Sequence, residues 1–108
     1  MPSKADPFAA LADPTRRSIL ETLRDEPDMS AGQIALCFPR VSRAAVSKHL
    51  GVLRRARLVR AYHRGRERHY RLQADRIAKV QEWLESFAPL MEESLARLKR
   101  QVEEGDWS

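Results

Sequence analysis

Nine residues near the middle of the chain, Ser42-Arg43-Ala44-Ala45-Val46-Ser47-Lys48-His49-Leu50, hold most of the groups that could do chemistry. Three chemistries compete for them: contact with a polyanion through Arg43, Ser47 and Lys48, metal ligation through His49, or nucleophilic catalysis by Ser47-Lys48-His49. Successive residues on a helix point about 100° apart, so the last triplet cannot converge as a triad does. Metal ligation fails on spacing, because three and four residues beyond His49 stand Val52 and Leu53, which are not ligands. A packed or phosphate-bonding role suits His49 better. No Gly-rich phosphate loop or nucleophile elbow occurs elsewhere, and the chain reads as a non-enzyme.

The remaining reactive side chains are few. Cys37 is the single cysteine, which excludes an internal disulfide and fits a reducing cytoplasm. It reads as a small half-buried helical residue, with a redox-sensing thiol as the alternative. His63 and His69 flank a turn and invite a shared metal. If Val59 and Ala61 share the inward face with Tyr70 and Leu72, the two histidines point to opposite faces, and a common site would need a one-residue slip of register. Neither a cofactor nor a metal is expected.

Charge favours the polyanion. The chain has 108 residues and a net charge of +5, with 43% hydrophobic and 32% charged residues, enough for one modest domain. From Arg40 to Arg71 eleven basic residues stand against the single acidic Glu67, a local +10 that leaves −5 for the rest. So concentrated a field marks a polyanion-binding face rather than a generally basic surface. No signal-peptide pattern follows Met1-Pro2-Ser3-Lys4 and no run has the length of a membrane span, so a cytoplasmic, nucleoid-associated protein is expected.

The elements that must position these residues are punctuated clearly. Asp6-Pro7 and Asp13-Pro14 each place a capping carboxylate before a proline suited to a first helical turn. They open a short helix over Phe8–Ala12 and a longer one with Ile19, Leu20 and Leu23 inward and Arg16, Arg17, Glu21 and Arg24 outward. Ser30 can cap a third helix containing Ile34, Ala35 and Phe38, stopped by Pro39. Ser42 caps a fourth from about Arg43 to Arg55. There Val46, Leu50 and Leu53 face the core, while Arg43, Ala44, Ser47, Lys48 and Gly51 form a small, polar, basic outer face. Two helices joined tightly through Phe38-Pro39-Arg40-Val41, the second with such a face, describe a helix-turn-helix.

Beyond Leu58 the period becomes alternating, and Leu58–His63 and Arg68–Leu72 read as a hairpin around Arg64-Gly65-Arg66-Glu67. Asp75 then caps a long helix to about Glu104, with Ile77, Val80, Leu84, Phe87, Met91, Leu95, Leu98 and Val102 in one stripe, kinked or divided by Pro89. Its length exceeds what the small domain can cover, which suggests a partner subunit. Trp83, Phe87 and Met91 are either simple core or the lining of an interface pocket. The fold class expected is mainly α with a small β-hairpin wing, ordered α-α-α-α-β-β-α, in a single domain over residues 1–108.

Leu11-Ala12-Asp13-Pro14-Thr15-Arg16-Arg17-Ser18-Ile19-Leu20, Val46-Ser47-Lys48-His49-Leu50-Gly51-Val52-Leu53, and Leu58-Val59 with Gly65-Arg66 and Tyr70-Arg71-Leu72 together resemble the ArsR family of bacterial winged-helix repressors, in register over roughly residues 8 to 74. The Trp83-Leu84 to Phe87 spacing resembles a helix of its non-metal members, and Arg40 is an extra residue in the turn. In register, the family's Cys-x-Cys metal positions correspond to Ser30 and Gly32, and residues 75 to 108 contain neither His nor Cys. Neither Ser30 nor Gly32 can bind a soft metal.

The resemblance implies a homodimer whose terminal helices, residues 7–12 and 75–104, form the interface through Phe8, Leu11, Leu84, Phe87, Met91, Leu95 and Leu98. Recognition helices would enter successive major grooves about 34 Å apart. Ser42, Arg43, Ala44, Ser47, Lys48 and Arg54, with Arg64, Arg66 and Arg68 of the wing, are the expected contacts to double-stranded DNA. The function expected is a metal-independent transcriptional repressor at an inverted-repeat operator, with no membrane role and an unidentified small-molecule effector as a further partner. The alternatives are a metal- or thiol-responsive sensor, and a winged helix that docks on proteins.

Overall fold

The structure, a computed structural model, describes residues 6–103. In chain order it contains α1 (Pro7–Leu11), α2 (Pro14–Asp25), β1 (Met29–Ser30), α3 (Ala31–Leu36), α4 (Arg43–Arg55), β2 (Val59–Arg64), β3 (Glu67–Leu72), α5 (Ala74–Glu85) and α6 (Ala88–Glu103). The chain divides into two compact units between Ile77 and Ala78. The mainly helical architecture with a hairpin wing stands as expected, with two additions: a short strand before α3, and a division of the C-terminal helix.

The helix starts follow local chemistry. Asp6 accepts from the Phe8 amide, Asp13 from that of Arg16, and each is followed by proline at the first helical position. Ser30 and Gln33 form a reciprocal capping box, at 3.1 and 2.9 Å. Ser42 accepts from the Ala45 amide at 3.1 Å. Between α3 and α4 the Val41 amide closes a turn onto the Phe38 carbonyl at 3.0 Å, so the extra Arg40 is absorbed, exposed, inside one β-turn with Pro39 before it.

The core of the first unit joins Ile19 and Leu23 of α2, Ile34 of α3, Val46, Leu50 and Leu53 of α4, and Leu58, Val59 and Tyr70 of the sheet region. Burial of each large aliphatic side chain contributes about 1.5–3 kcal/mol. α1 is tied on by polar bonds. Arg16 Nε donates to the Ala10 carbonyl at 2.7 Å and Arg17 Nη1 to that of Leu11 at 2.8 Å, satisfying carbonyls at the end of a helix too short to do so itself. Arg16, expected outward, is therefore partly buried.

α4 ends in a Schellman motif. The Leu58 amide donates to the Leu53 carbonyl and the Arg57 amide to that of Arg54, both at 3.0 Å, with Arg57 at φ +62° where glycine is usual. The chain then enters an antiparallel sheet of order β1-β3-β2. Its register pairs Val59 with Leu72, Ala61 with Tyr70, Tyr62 with His69 and His63 with Arg68, so the two histidines do lie on opposite faces. The hairpin closes through Gly65-Arg66 alone, two residues shorter than the expected turn, with Gly65 at φ +66° as the first central residue of a type II′ turn requires.

In the second unit, α5 ends at Glu85 and α6 begins at Ala88. Pro89, which lacks an amide hydrogen, sits in the first turn of α6, where that loss is harmless. Asp75 lies in the first turn of α5 instead of capping it, and Glu104 is outside the described residues. None of the residues of α5 or α6 is buried. Trp83 and Phe87 meet edge-to-face with centroids 4.8 Å apart. Leu84, Phe87, Leu90, Met91, Leu95, Leu98 and Val102 are all exposed, from 40% at Phe87 to 65% at Leu95. No helix among the described residues is long and apolar enough to cross a membrane.

Candidate nucleic-acid interface

The recognition candidate α4 is held rigidly from behind. Val46, Leu50 and Leu53 repeat at helical spacing and are at most 1% exposed, so the opposite face is fixed outward. On it stand Ser42, Arg43, Ala44, Ser47 and Lys48, all exposed. Small residues on an exposed helix face allow close approach to a groove, and lysine and arginine are the side-chain types that bind phosphates or a guanine edge. Arg43 also leans back across α3. A Cβ added at Gly32 would lie 3.4 Å from Arg43 Nη2, and both residues line a cleft of about 200 Å³ with Ala31, Ala35, Val46, Ser47 and Leu50. Arg54 is not part of this cluster. It lies in the last turn of α4, about 16 Å along the axis from Arg43, where its charge suits the helix C-terminus.

His49 is half-buried and faces α2. Its Nδ1 is 3.3 Å from Arg16 Nη1 and 3.9 Å from Asp13 Oδ2. The Arg16 amide bonded to Asp13 holds that carboxyl below its ordinary range, helped by the charges of His49 and Arg16. His49 thus belongs to the seat of α4. Cys37, expected half-buried, is exposed at the end of α3, since the helix stops there; its thiol donates to the Gln33 carbonyl at 3.5 Å.

The three wing arginines do not share one surface. Arg66 occupies the turn, exposed and without an ion pair among the described residues. The Arg68 guanidinium carbon lies 5.9 Å over the Tyr70 ring on the inward side of β3. Arg64 is on the other face, where its Nη1 donates to Asp28 Oδ2 at 3.1 Å. Asp28 precedes β1 and gathers this face: its Oδ1 also accepts from the Tyr62 hydroxyl and lies 3.0 Å from His69 Nδ1. The Tyr62 bond, then His69 and the positive charge of Arg64, hold the Asp28 carboxyl below its ordinary value of 3.8. The same bond to a carboxylate raises the Tyr62 hydroxyl above its usual range.

His69 is only 8% exposed, and its buried Nε2 has no hydrogen-bond partner among the described residues; Glu67 Oε1, at 3.7 Å, is too distant. Asp28 and His69 were missed as wing-positioning residues. They lie 41 residues apart, and β1 is too short to show a period. The one readable hint was parity, which put His69 on the face opposite Tyr70 but could not show that a loop covers it. Among the described residues no group of three or more His, Cys, Asp or Glu could hold a metal ion, and the Ser30 hydroxyl is engaged in its capping box.

A helix-turn-helix seated on a compact core and followed by a basic two-stranded ribbon defines a winged helix-turn-helix domain. A helix-turn-helix domain profile matches residues 11–61. The chain is 35% identical over 80 residues to the transcriptional repressor SdpR of Bacillus subtilis, spanning 74% of this chain and 87% of that protein. It is 45% identical over 80 residues to the HTH-type transcriptional regulator Rv2034 of Mycobacterium tuberculosis, spanning 74% and 73%. Among solved structures, an ArsR-like transcriptional regulator from Rhodococcus sp. RHA1 superposes with a TM-score of 0.65 at 39% identity, over 86% of each chain. The chain belongs to the ArsR family of winged helix-turn-helix transcriptional regulators, and is a regulator with a helix-turn-helix DNA-binding domain, not an enzyme.

Proposed function

We propose that the chain is a homodimeric repressor that binds double-stranded DNA at an imperfect inverted repeat without needing a metal. The observation that carries this reading is the exposed, small and basic outer face of α4, fixed by its buried Val46-Leu50-Leu53 face and followed by a basic wing. Ser42, Arg43, Ala44, Ser47 and Lys48 would enter the major groove. Arg66 would meet the flanking backbone, with Arg64 and Arg68 supporting the ribbon from its two faces, and Arg54 would reach a phosphate beyond the groove. Repression is supported by the likeness to a transcriptional repressor.

The exposed apolar side chains along the end of α5, the connection at Phe87 and α6 support a second copy as partner. Leu84, Phe87, Met91, Leu95 and Leu98 are exposed, and water contact along so long a stripe is unfavourable. At α1, Phe8 is exposed in the same way, whereas Leu11 is half-buried against the core of its own unit. A dimer would act by occluding a promoter, in the cytoplasm at the nucleoid. It would be controlled by its own concentration or by an effector that shifts the distance between recognition helices.

Selection of binding sites from random duplex DNA tests the reading. It predicts enrichment of an inverted repeat with half-site centres about 10–10.5 base pairs apart, or a multiple of that spacing. Enrichment of single half-sites only would refute the dimer, and no enrichment would refute sequence-specific binding.

A further inference from the structure

The basic block contains a group of arginines that recognition by α4 does not use. Arg60 of β2 and Arg71 of β3 are exact cross-strand partners in the antiparallel register. Like charges placed directly opposite in a sheet repel, and neither guanidinium has a hydrogen bond or ion pair with a carboxylate among the described residues. Both open into a cleft of about 300 Å³ that is completed by Leu23 and Arg24 at the end of α2, Pro27, and Leu72. Arg24 is already paired, its Nε 2.9 Å from Asp25 Oδ1. The cleft therefore has, among the described residues, two guanidinium groups without a carboxylate partner at its polar side and an apolar wall of Pro27 and Leu72, with Leu23 buried beneath.

We propose that this cleft binds a compact organic anion, whose phosphate or carboxylate bridges Arg60 and Arg71 while its apolar part lies on Pro27 and Leu72. Guanidinium groups bind such oxyanions through paired N–H donors, and an anion between Arg60 and Arg71 turns their repulsion into attraction. The volume is at the small end of the range for small-molecule sites, about 300–1,000 Å³. DNA is a poorer occupant than a small anion. Arg60 lies five residues from Gly65, which puts the cleft about 16 Å from the wing tip along the strand. The occupant would join α2 to the base of the wing, so the site is a place where a small molecule could act on a DNA-binding element.

The test uses the full chain with phenyl phosphate as probe, inorganic phosphate as comparison, and amide chemical shifts as readout. Saturable shifts are expected at Arg24, Arg60, Arg71 and Leu72. Binding should weaken at least about tenfold in the Arg60→Gln/Arg71→Gln double variant, the scale of losing one charge-assisted hydrogen bond. Inorganic phosphate, without an apolar part, should bind more weakly than phenyl phosphate. The slope of log duplex affinity against log salt should be the same in the double variant and the parent, because neither arginine contacts a duplex phosphate in this proposal. Shifts confined to α4, unchanged affinity in the double variant, or equal affinity for the two phosphates would each overturn the proposal. Weaker duplex binding with a shallower salt slope in the variant would also overturn it, because the arginines would then be backbone contacts. The wild-type shift map decides the matter even if the variant folds poorly.

Discussion

The recognition helix and the wing present neighbouring basic surfaces but are held by different physics. α4 is seated by apolar contact, with Val46, Leu50 and Leu53 at most 1% exposed and a serine cap at its start. The wing is steadied on its outer face by one carboxylate, Asp28, which joins Tyr62, Arg64 and His69. The polar part of the α4 seat is the His49 contact with Arg16 and Asp13; its larger apolar part does not titrate, whereas the carboxylate network of the wing does. The difference teaches that the two basic elements can be loosened separately.

The largest effect is expected from Leu50→Ala, which removes a fully buried side chain behind the recognition face. Denaturant unfolding should show a loss of about 2–5 kcal/mol. A loss below about 1 kcal/mol would mean that α4 is not seated by its apolar face. Asp28→Ala should cost less global stability but act selectively. Amide exchange across β2 and β3 should quicken while α4 stays protected, and equal loosening of both elements would erase the distinction.

Acid sharpens the same contrast. The Asp28 carboxyl is depressed below its ordinary value of 3.8, so its stabilisation is fully present above that pH and is lost as pH falls through the depressed value. Proton signals of Tyr62 and His69 should change in that acid step, and the step should vanish in Asp28→Asn. A titration in which the variant keeps the step would assign it to another group. The smallest effect is expected at Arg57, held at φ +62° after α4. Arg57→Gly should stabilise by at most about 1 kcal/mol, relief of the left-handed strain being partly offset by glycine's greater freedom in the unfolded chain. Destabilisation in thermal unfolding would show that the arginine side chain outweighs the strain.

What was legible in the sequence follows the same divide. The seating of α4 could be read because a 3.6-residue period and adjacent caps are local signals: Ser42, Val46 and Leu50 were assigned their places from spacing alone. The hairpin register was readable from alternation, and with it the separation of His63 from His69. The anchoring of the wing was not readable, because Asp28 contacts side chains 34 to 41 residues away through a two-residue strand. The links from Arg16 and Arg17 to the α1 carbonyls are likewise made by long side chains that a helical wheel counts as exposed. Arg57 escaped notice because a left-handed residue is expected to be glycine. The exposed thiol of Cys37 shows that one helical turn's end, not hydrophobicity, decides burial there.

The central claim, that the outer face of α4 binds duplex DNA electrostatically, is tested most directly by the salt dependence of binding to the selected duplex for the parent and Lys48→Ala. The account predicts that affinity falls steeply with salt for the parent, and that Lys48→Ala binds more weakly with a slope of log affinity against log salt shallower by about 1. A parent without salt-dependent duplex affinity, or a variant unchanged in both affinity and slope, would contradict it.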